Sequence, residues 1–164
     1  MAGIQQKNPA APQSPRDRAP AGFLGHAASE NVMTGTAMGR RSGYMYGAAL
    51  PEGPAGQIGC GPRQTTSLGS IGLIAPTLDI TTTGHTETAD GVRMVFQLTP
   101  GTEAPAGMNF RLPELGVLCV TENACHTLHN VLTLRGALVR GPSAWARCLT
   151  GTLGLFAPRG RQNA

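Results

Sequence analysis

The 164-residue sequence predicts a mixed α/β (α+β) fold, with helices packed on a small sheet. Three observations point there. A glycine-spaced helical stretch lies near the start, an Asp-Gly turn precedes period-two apolar alternation in the middle, and a Gly-Pro break opens a helical run near the end. At this length a single domain is the upper limit, and it would bury roughly two-thirds of its unfolded surface.

The first twenty residues, MAGIQQKNPAAPQSPRDRAP, hold four prolines and almost no large apolar side chain. They cannot bury enough surface to offset their ordering entropy, so residues 1–22 are expected as a disordered leader. Phe23 to Tyr46 reads as helical, with Ser29 placed to cap a second segment. Gly35, Gly39 and Gly43 share one side of that helix, where they would let another backbone approach closely. Tyr44 and Tyr46 read as a packing pair at its end.

Pro51 to Gly72 is polar and rich in Gly and Pro, which suits a long surface loop. Thr77 to Thr83 is β-branched, and Asp90-Gly91 is a turn signal ahead of Val92, Met94, Phe96 and Leu98, so a hairpin is expected. Further strands are expected at Met108–Leu112 and Gly116–Val120 across the turn at Pro113-Glu114. His126 to Val139 carries aliphatics at helical spacing, and a last helix is expected from Ser143 to Phe156 after Gly141-Pro142.

Composition excludes several functions. Thirteen Lys and Arg against nine Asp and Glu leave a net charge of +4, but Arg16, Arg18, Arg159 and Arg161 sit in tail-like ends and Lys7 is the one lysine. A nucleic-acid surface would need clustered basic residues interleaved with aromatics, which are 4% here. Cys60, Cys119, Cys125 and Cys148 show no CxxC pair and read as buried or incidental thiols. No signal-peptide h-region and no apolar run of roughly 18 residues is present, so the chain as given is expected to be soluble and cytoplasmic, an expectation that does not extend to intact relatives.

Two of the nine acidic residues stand where sites form in α/β folds, at strand ends: Glu103 in the loop after one predicted strand and Glu122 just after Val117–Val120. Carboxylates converging there suit a metal ion that lowers the pKa of a bound water. Taken alone, either one is more simply an exposed loop charge or a helix N-cap partner. His126, His129, Asn130 and Arg135 follow directly in TENACHTLHNVLTLRGALVR. Asn and Arg suit an oxyanion, and the histidines share a helix face but read first as packing residues. His26 and His85 are isolated and read as surface or core histidines.

The segments SENVMTGTAMGRRSGYMYGAALP, PGTEAPAGMNF and TENACHTLHNVLTLRGALVR, in that order, resemble the zinc-dependent alkyl sulfatases of the metallo-β-lactamase superfamily. The resemblance runs from about Phe23 to Phe156. It implies the C-terminal part of an αββα sandwich over 23–156, followed by a disordered tail at 157–164. It implies hydrolysis of alkyl sulfate esters of the dodecyl sulfate type by zinc-bound hydroxide, with two zinc ions per site. Glu103 of GTEAP and Glu122 of ENxxHTLHN would be zinc ligands, and Asn130 and Arg135 would contact the sulfate.

The sequence also departs from that family. Its HxHxDH zinc motif is absent, a further downstream histidine ligand is not found, and Gly107 and Cys125 replace an acidic residue and a threonine. With two of about seven expected ligands, the chain is expected to bind zinc weakly or not at all and to be inactive alone. Its implied partners are an alkyl sulfate substrate and either a second copy or a polypeptide supplying the upstream half. The alternative is a non-catalytic remnant, or an anion-binding or interaction module.

Overall fold

The computed structural model describes residues 17–57, 72–125 and 131–157. Its centre is a four-stranded antiparallel meander, in which β3 (Thr86–Ala89), β4 (Val92–Leu98), β5 (Met108–Leu112) and β6 (Val117–Cys119) pair in sequence order. β3 and β4 are joined at Asp90 and Gly91, with φ of 49° and 80°. Two successive left-handed residues make the hairpin turn whose twist matches that of the strands, as Asp-Gly predicts, but the strand across it is Thr86–Ala89 rather than the expected Thr77–Thr83, whose Leu78–Ile80 pairs in parallel with Arg18–Pro20 instead. The third and fourth expected strands are β5 and β6.

Ahead of the meander, β1 (Arg18–Pro20) pairs in parallel with β2 (Leu78–Ile80), with Ala19 opposite Asp79. The amides of Thr77 and Leu78 both donate to the Asp17 carbonyl, and the Ala21 amide donates to the Ile80 carbonyl. Part of the segment expected as a leader is therefore ordered. Its backbone groups find partners in the chain near residue 78, although its own composition offers no core.

The helical stretch is two helices, α1 (Phe23–Met33) and α2 (Gly35–Met45), broken at Thr34, whose hydroxyl donates to the Glu30 carbonyl. That local bond offers the backbone an alternative to continuing the ladder. Two expectations fail here. A β-carbon built at Gly39 or Gly43 meets nothing within 4 Å, so no described backbone uses the glycine stripe. Tyr44 is 92% exposed and packs against nothing that would make it half of an aromatic pair.

Beyond β6 the expected helix at His126–Val139 is not formed over its described part. Residues 131–140 are bends, a turn and irregular backbone; residues 126–130 lie outside the described residues. Helical spacing of aliphatics is overridden by local bonding. The Gly136 amide donates to the Thr133 carbonyl, the Ala137 amide donates to the Thr133 hydroxyl, and Gly136 sits at φ 97°. The expected last helix is α3 (Pro142–Phe156), opened by a proline in its first turn, where a missing N–H costs nothing.

Register determines what α3 covers. Phe96 lies opposite Phe110, and Phe110 opposite Cys119, so one face of the meander is apolar there. Gln97 lies opposite Asn109 on the other face. This polar face is the one against which α3 packs. Gln97 Nε2 donates to the Cys148 carbonyl, Asn109 Nδ2 to Thr152 Oγ1, and Arg111 to the Phe156 carbonyl. Cys148, Thr152 and Phe156 are four residues apart, one helical turn per strand contact.

Candidate functional site

Glu103 and Glu122 stand in the two connections that the meander brings to one edge. Glu103 lies in the loop between β4 and β5, where Gly101 at φ 68° turns the chain and its amide bonds the Ala104 and Pro105 carbonyls. The same loop is closed by the Thr99 amide donating to the Gly107 carbonyl. A β-carbon at Gly107 would come within 2.9 Å of the Thr99 hydroxyl. Glu103 itself is 8% exposed.

Glu122 lies in a short 3-10 turn, Thr121–Ala124, directly after β6. Thr121, just before it, has φ 50°, a left-handed conformation that costs a β-branched residue of order 1–3 kcal/mol. Strain of that kind persists only where surrounding contacts impose it. The contacts come from Asn123, which is almost fully buried.

Around Asn123 runs a chain of neutral, buried hydrogen bonds. Its Nδ2 donates to Thr99 Oγ1 at 3.1 Å and to Asn109 Oδ1 at 2.9 Å. Its Oδ1 faces the Thr102 hydroxyl at 2.8 Å, which shares its one proton with the Thr99 carbonyl at 2.7 Å. Asn109 continues the chain to Gln97 and Thr152 on α3. On the far side of the turn, the indole N–H of Trp145 donates to the Asn123 carbonyl at 2.9 Å. Thr99, Thr102 and Asn109 have no measurable exposure, and each lost bond here would leave a desolvated group unsatisfied.

A buried arginine holds the Glu103 loop from the other direction. Arg140 Nε donates to the Glu103 carbonyl at 3.1 Å, and its Nη1 donates to the Leu138 carbonyl. Its Nη2 is 3.9 Å from Glu30 Oε1, an ion pair too long to be a hydrogen bond. The segment bearing Arg135 is thus tied at one end to Glu103 and, through the Arg140 amide and Val131 carbonyl, to itself. The Arg135 carbonyl accepts from Arg41 of α2.

Of the residues singled out in the sequence, then, the loops of Glu103 and Glu122 are joined through their neighbours, Arg135 lies in the segment anchored beside Glu103, and Asn130 is outside the described residues. His126 and His129 are outside them too. Burial pushes the Cys148 thiol up from its ordinary value. His85 bonds Glu87 at 2.9 Å and tilts against Phe96, which suits a structural role. Asn109, Asn123, Trp145 and Arg140 were not anticipated. Only Trp145, the single tryptophan of the chain, carried an advance signal, at a helix start beside Gly141-Pro142.

Carboxylates are appropriate donors for a zinc ion, but among the described residues no three or more His, Cys, Asp or Glu side chains gather as a metal cluster. The described part of the chain does not by itself make a closed zinc site. No described helix is long and apolar enough to cross a membrane.

No protein-family model matches the chain. It is 49% identical over 138 residues to a linear primary-alkylsulfatase of Pseudomonas sp., a match covering 84% of this chain and 20% of that relative. It is 43% identical over 142 residues to an (R)-specific secondary-alkylsulfatase of Pseudomonas sp., covering 86% and 21%. To an alkyl/aryl-sulfatase of Saccharomyces cerevisiae it is 42% identical over 129 residues, covering 79% and 20%. Among solved structures, a stereoselective inverting sec-alkylsulfatase from Pseudomonas sp. superposes with a TM-score of 0.79 at 43% identity, over 85% of this chain and 22% of that one. The mixed helix-and-sheet architecture is therefore part of the larger alkylsulfatase fold, and the chain spans about a fifth of the length of these relatives. By sequence and by structure, this chain matches about a fifth of an alkylsulfatase, as a partial chain of that family would.

Proposed function

We propose that this chain is the part of a metallo-β-lactamase-type αββα sulfatase domain that supplies Glu103 and Glu122 as zinc ligands and Asn130 and Arg135 as sulfate contacts. The whole site would hydrolyse alkyl sulfate esters of the dodecyl sulfate type, and this chain would be inactive alone. The observation that carries the reading is the hydrogen-bonded join between the two glutamate loops, at Thr102 next to Glu103 and Asn123 next to Glu122. A zinc pair, when bound, supplies Lewis acidity and a water of lowered pKa. The chain's own contribution is to present two carboxylates at one sheet edge and a planar guanidinium fork for the sulfate oxygens.

Support for a partner polypeptide comes from the surface. Leu132, Leu134 and Leu138 are 72%, 79% and 68% exposed in the segment that carries Arg135, and α3 exposes Leu153 and Leu155. Apolar surface of this kind marks an interface. The remaining four-fifths of the sulfatase fold is the occupant that the relatives' length supports.

The test is zinc content by elemental analysis and dodecyl sulfate hydrolysis, for the chain alone and mixed with a polypeptide that carries HxHxDH and the rest of such a domain. Turnover only in the mixture, abolished by Glu103→Ala or Glu122→Ala, is expected. Turnover that never appears although the two polypeptides associate would overturn the catalytic reading and leave a non-catalytic module.

A further inference from the structure

The buried network does more than fasten α3 to the sheet. An apolar set of the same volume would hold a helix there with less desolvation cost, whereas directional hydrogen bonds impose one relative placement on the groups they join. Followed from Thr152 through Asn109 to Asn123, the network ends on the two loops rather than in the core. Its terminal members are the immediate chain neighbours of the two candidate ligands, since Thr102 precedes Glu103 and Asn123 follows Glu122. Asn123 also receives the Trp145 indole N–H on its backbone carbonyl, so its side chain and its main chain are both restrained. The strained φ of Thr121 is compatible with that double restraint.

We propose that Asn123 and Thr102 form a clamp that sets the position of the Glu103 loop relative to the Glu122 turn, making Asn123 a positioning residue of the site. The proposal rests on the reading of Glu103 and Glu122 as the paired carboxylates. The clamp predicts that the two loops open together. Thr99 belongs to the same device through its hydroxyl, which accepts from Asn123 while its carbonyl accepts from Thr102. This is also why a side chain at Gly107, which would displace the Thr99 hydroxyl, would disturb the Glu122 turn without touching it.

The test is amide hydrogen exchange in the full chain, followed residue by residue at Gly101 and Asn123, whose amides bond the Ala104 and Val120 carbonyls. Thr102→Val keeps the shape and removes the hydroxyl; Thr102→Ser keeps the hydroxyl. In Thr102→Val both amides should exchange about tenfold faster, the change expected for losing one net buried hydrogen bond. The β4–β5 ladder amides should stay within about twofold of wild type. Thr102→Ser should restore both loops, and Trp145 emission should shift to the red in Thr102→Val alone, since the indole reads the position of the Asn123 carbonyl. Asn123→Ala gives the larger effect, and Thr102→Val keeps the test valid if that variant does not fold. Acceleration of one loop without the other, an equal rise throughout the ladder, or no rescue by serine would each overturn the clamp. Zinc content reports on the ligand reading alone, so either idea can fail without the other.

Discussion

The sheet face beneath α3 and the segment from Val131 to Val139 invert the usual distribution of polarity. Under α3, Gln97, Asn109, Asn123 and Thr152 are buried and bonded to one another. In the segment, leucines at 132, 134 and 138 stand open although an apolar side chain gains most from burial. The first region spends its interior on directional bonds and so fixes the geometry of two loops. The second has its geometry fixed by Thr133, Gly136 and Arg140 and leaves its apolar side chains for something outside the described chain to cover. A polar interior and an apolar exterior on one small chain fit its span of about a fifth of the relatives' length.

The sealed region should be the more sensitive to truncation. Trp145 is 1% exposed and its indole N–H bonds the turn that bears Glu122. Trp145→Ala should destabilise the chain by about 3–5 kcal/mol, read as a drop in the denaturant midpoint at unchanged slope. Asn109→Ala, which strands donors and acceptors on Gln97, Asn123 and Thr152, should cost about 1–3 kcal/mol. A loss below half a kcal/mol for both would show that the region is open to water and that the contrast drawn above is false.

How much of this was legible beforehand follows the same division. The hairpin turn, β4, β5, β6 and α3 were readable because turn chemistry and period-two alternation are local, whereas the strand across that turn, Thr86–Ala89, was not the β-branched run that the sequence offered. The network was not, for Gln97 and Asn109 occupy the polar phase of their strands, and that phase ordinarily means solvent. Only a helix arriving from forty or more residues away, Cys148 to Thr152 on Gln97 and Asn109, turns it inward. The segment around Arg135 was misread for the opposite reason. Its leucines have helical spacing, but Thr133 and Gly136 close a turn that spacing does not reveal. Glu103 and Glu122 were singled out through motif resemblance; the residues that tie their loops together, Thr102 and Asn123, were in plain sight beside them and carried no signal of their own.

The open region should respond in association rather than in stability. Leu134→Ser and Leu138→Ser change side chains that are mostly in water already, so each should alter the unfolding free energy by no more than about 0.5 kcal/mol. The double variant should reduce concentration-dependent self-association measured by sedimentation velocity. It should also weaken capture of the complementary sulfatase polypeptide. A large loss of stability instead would mean that these leucines are packed in solution and that the segment is not an open edge.

The smallest effect sharpens the contrast at its boundary. Arg93 points from the same face of β4 as Gln97 but lies beyond α3, and its Nε bonds Glu114 Oε1 at 2.7 Å in full view of solvent. The hydrogen bond from Arg93 holds the Glu114 carboxyl below its ordinary value of 4.5. A carboxyl depressed in the folded state contributes stability that is present above its unfolded pKa and lost as pH falls through the folded one. The contribution should therefore fade below about pH 4.5, and it should be screened by salt at any pH because both groups are exposed. Glu114→Gln should remove that low-pH dependence by losing at pH 7 the small contribution of this exposed pair, while differing least from wild type at low pH. The bonds of Gln97, four residues along the same strand, have no charge to titrate and should show neither pH nor salt dependence, so a salt-sensitive Gln97→Ala difference would mean that α3 does not seal its face of the sheet.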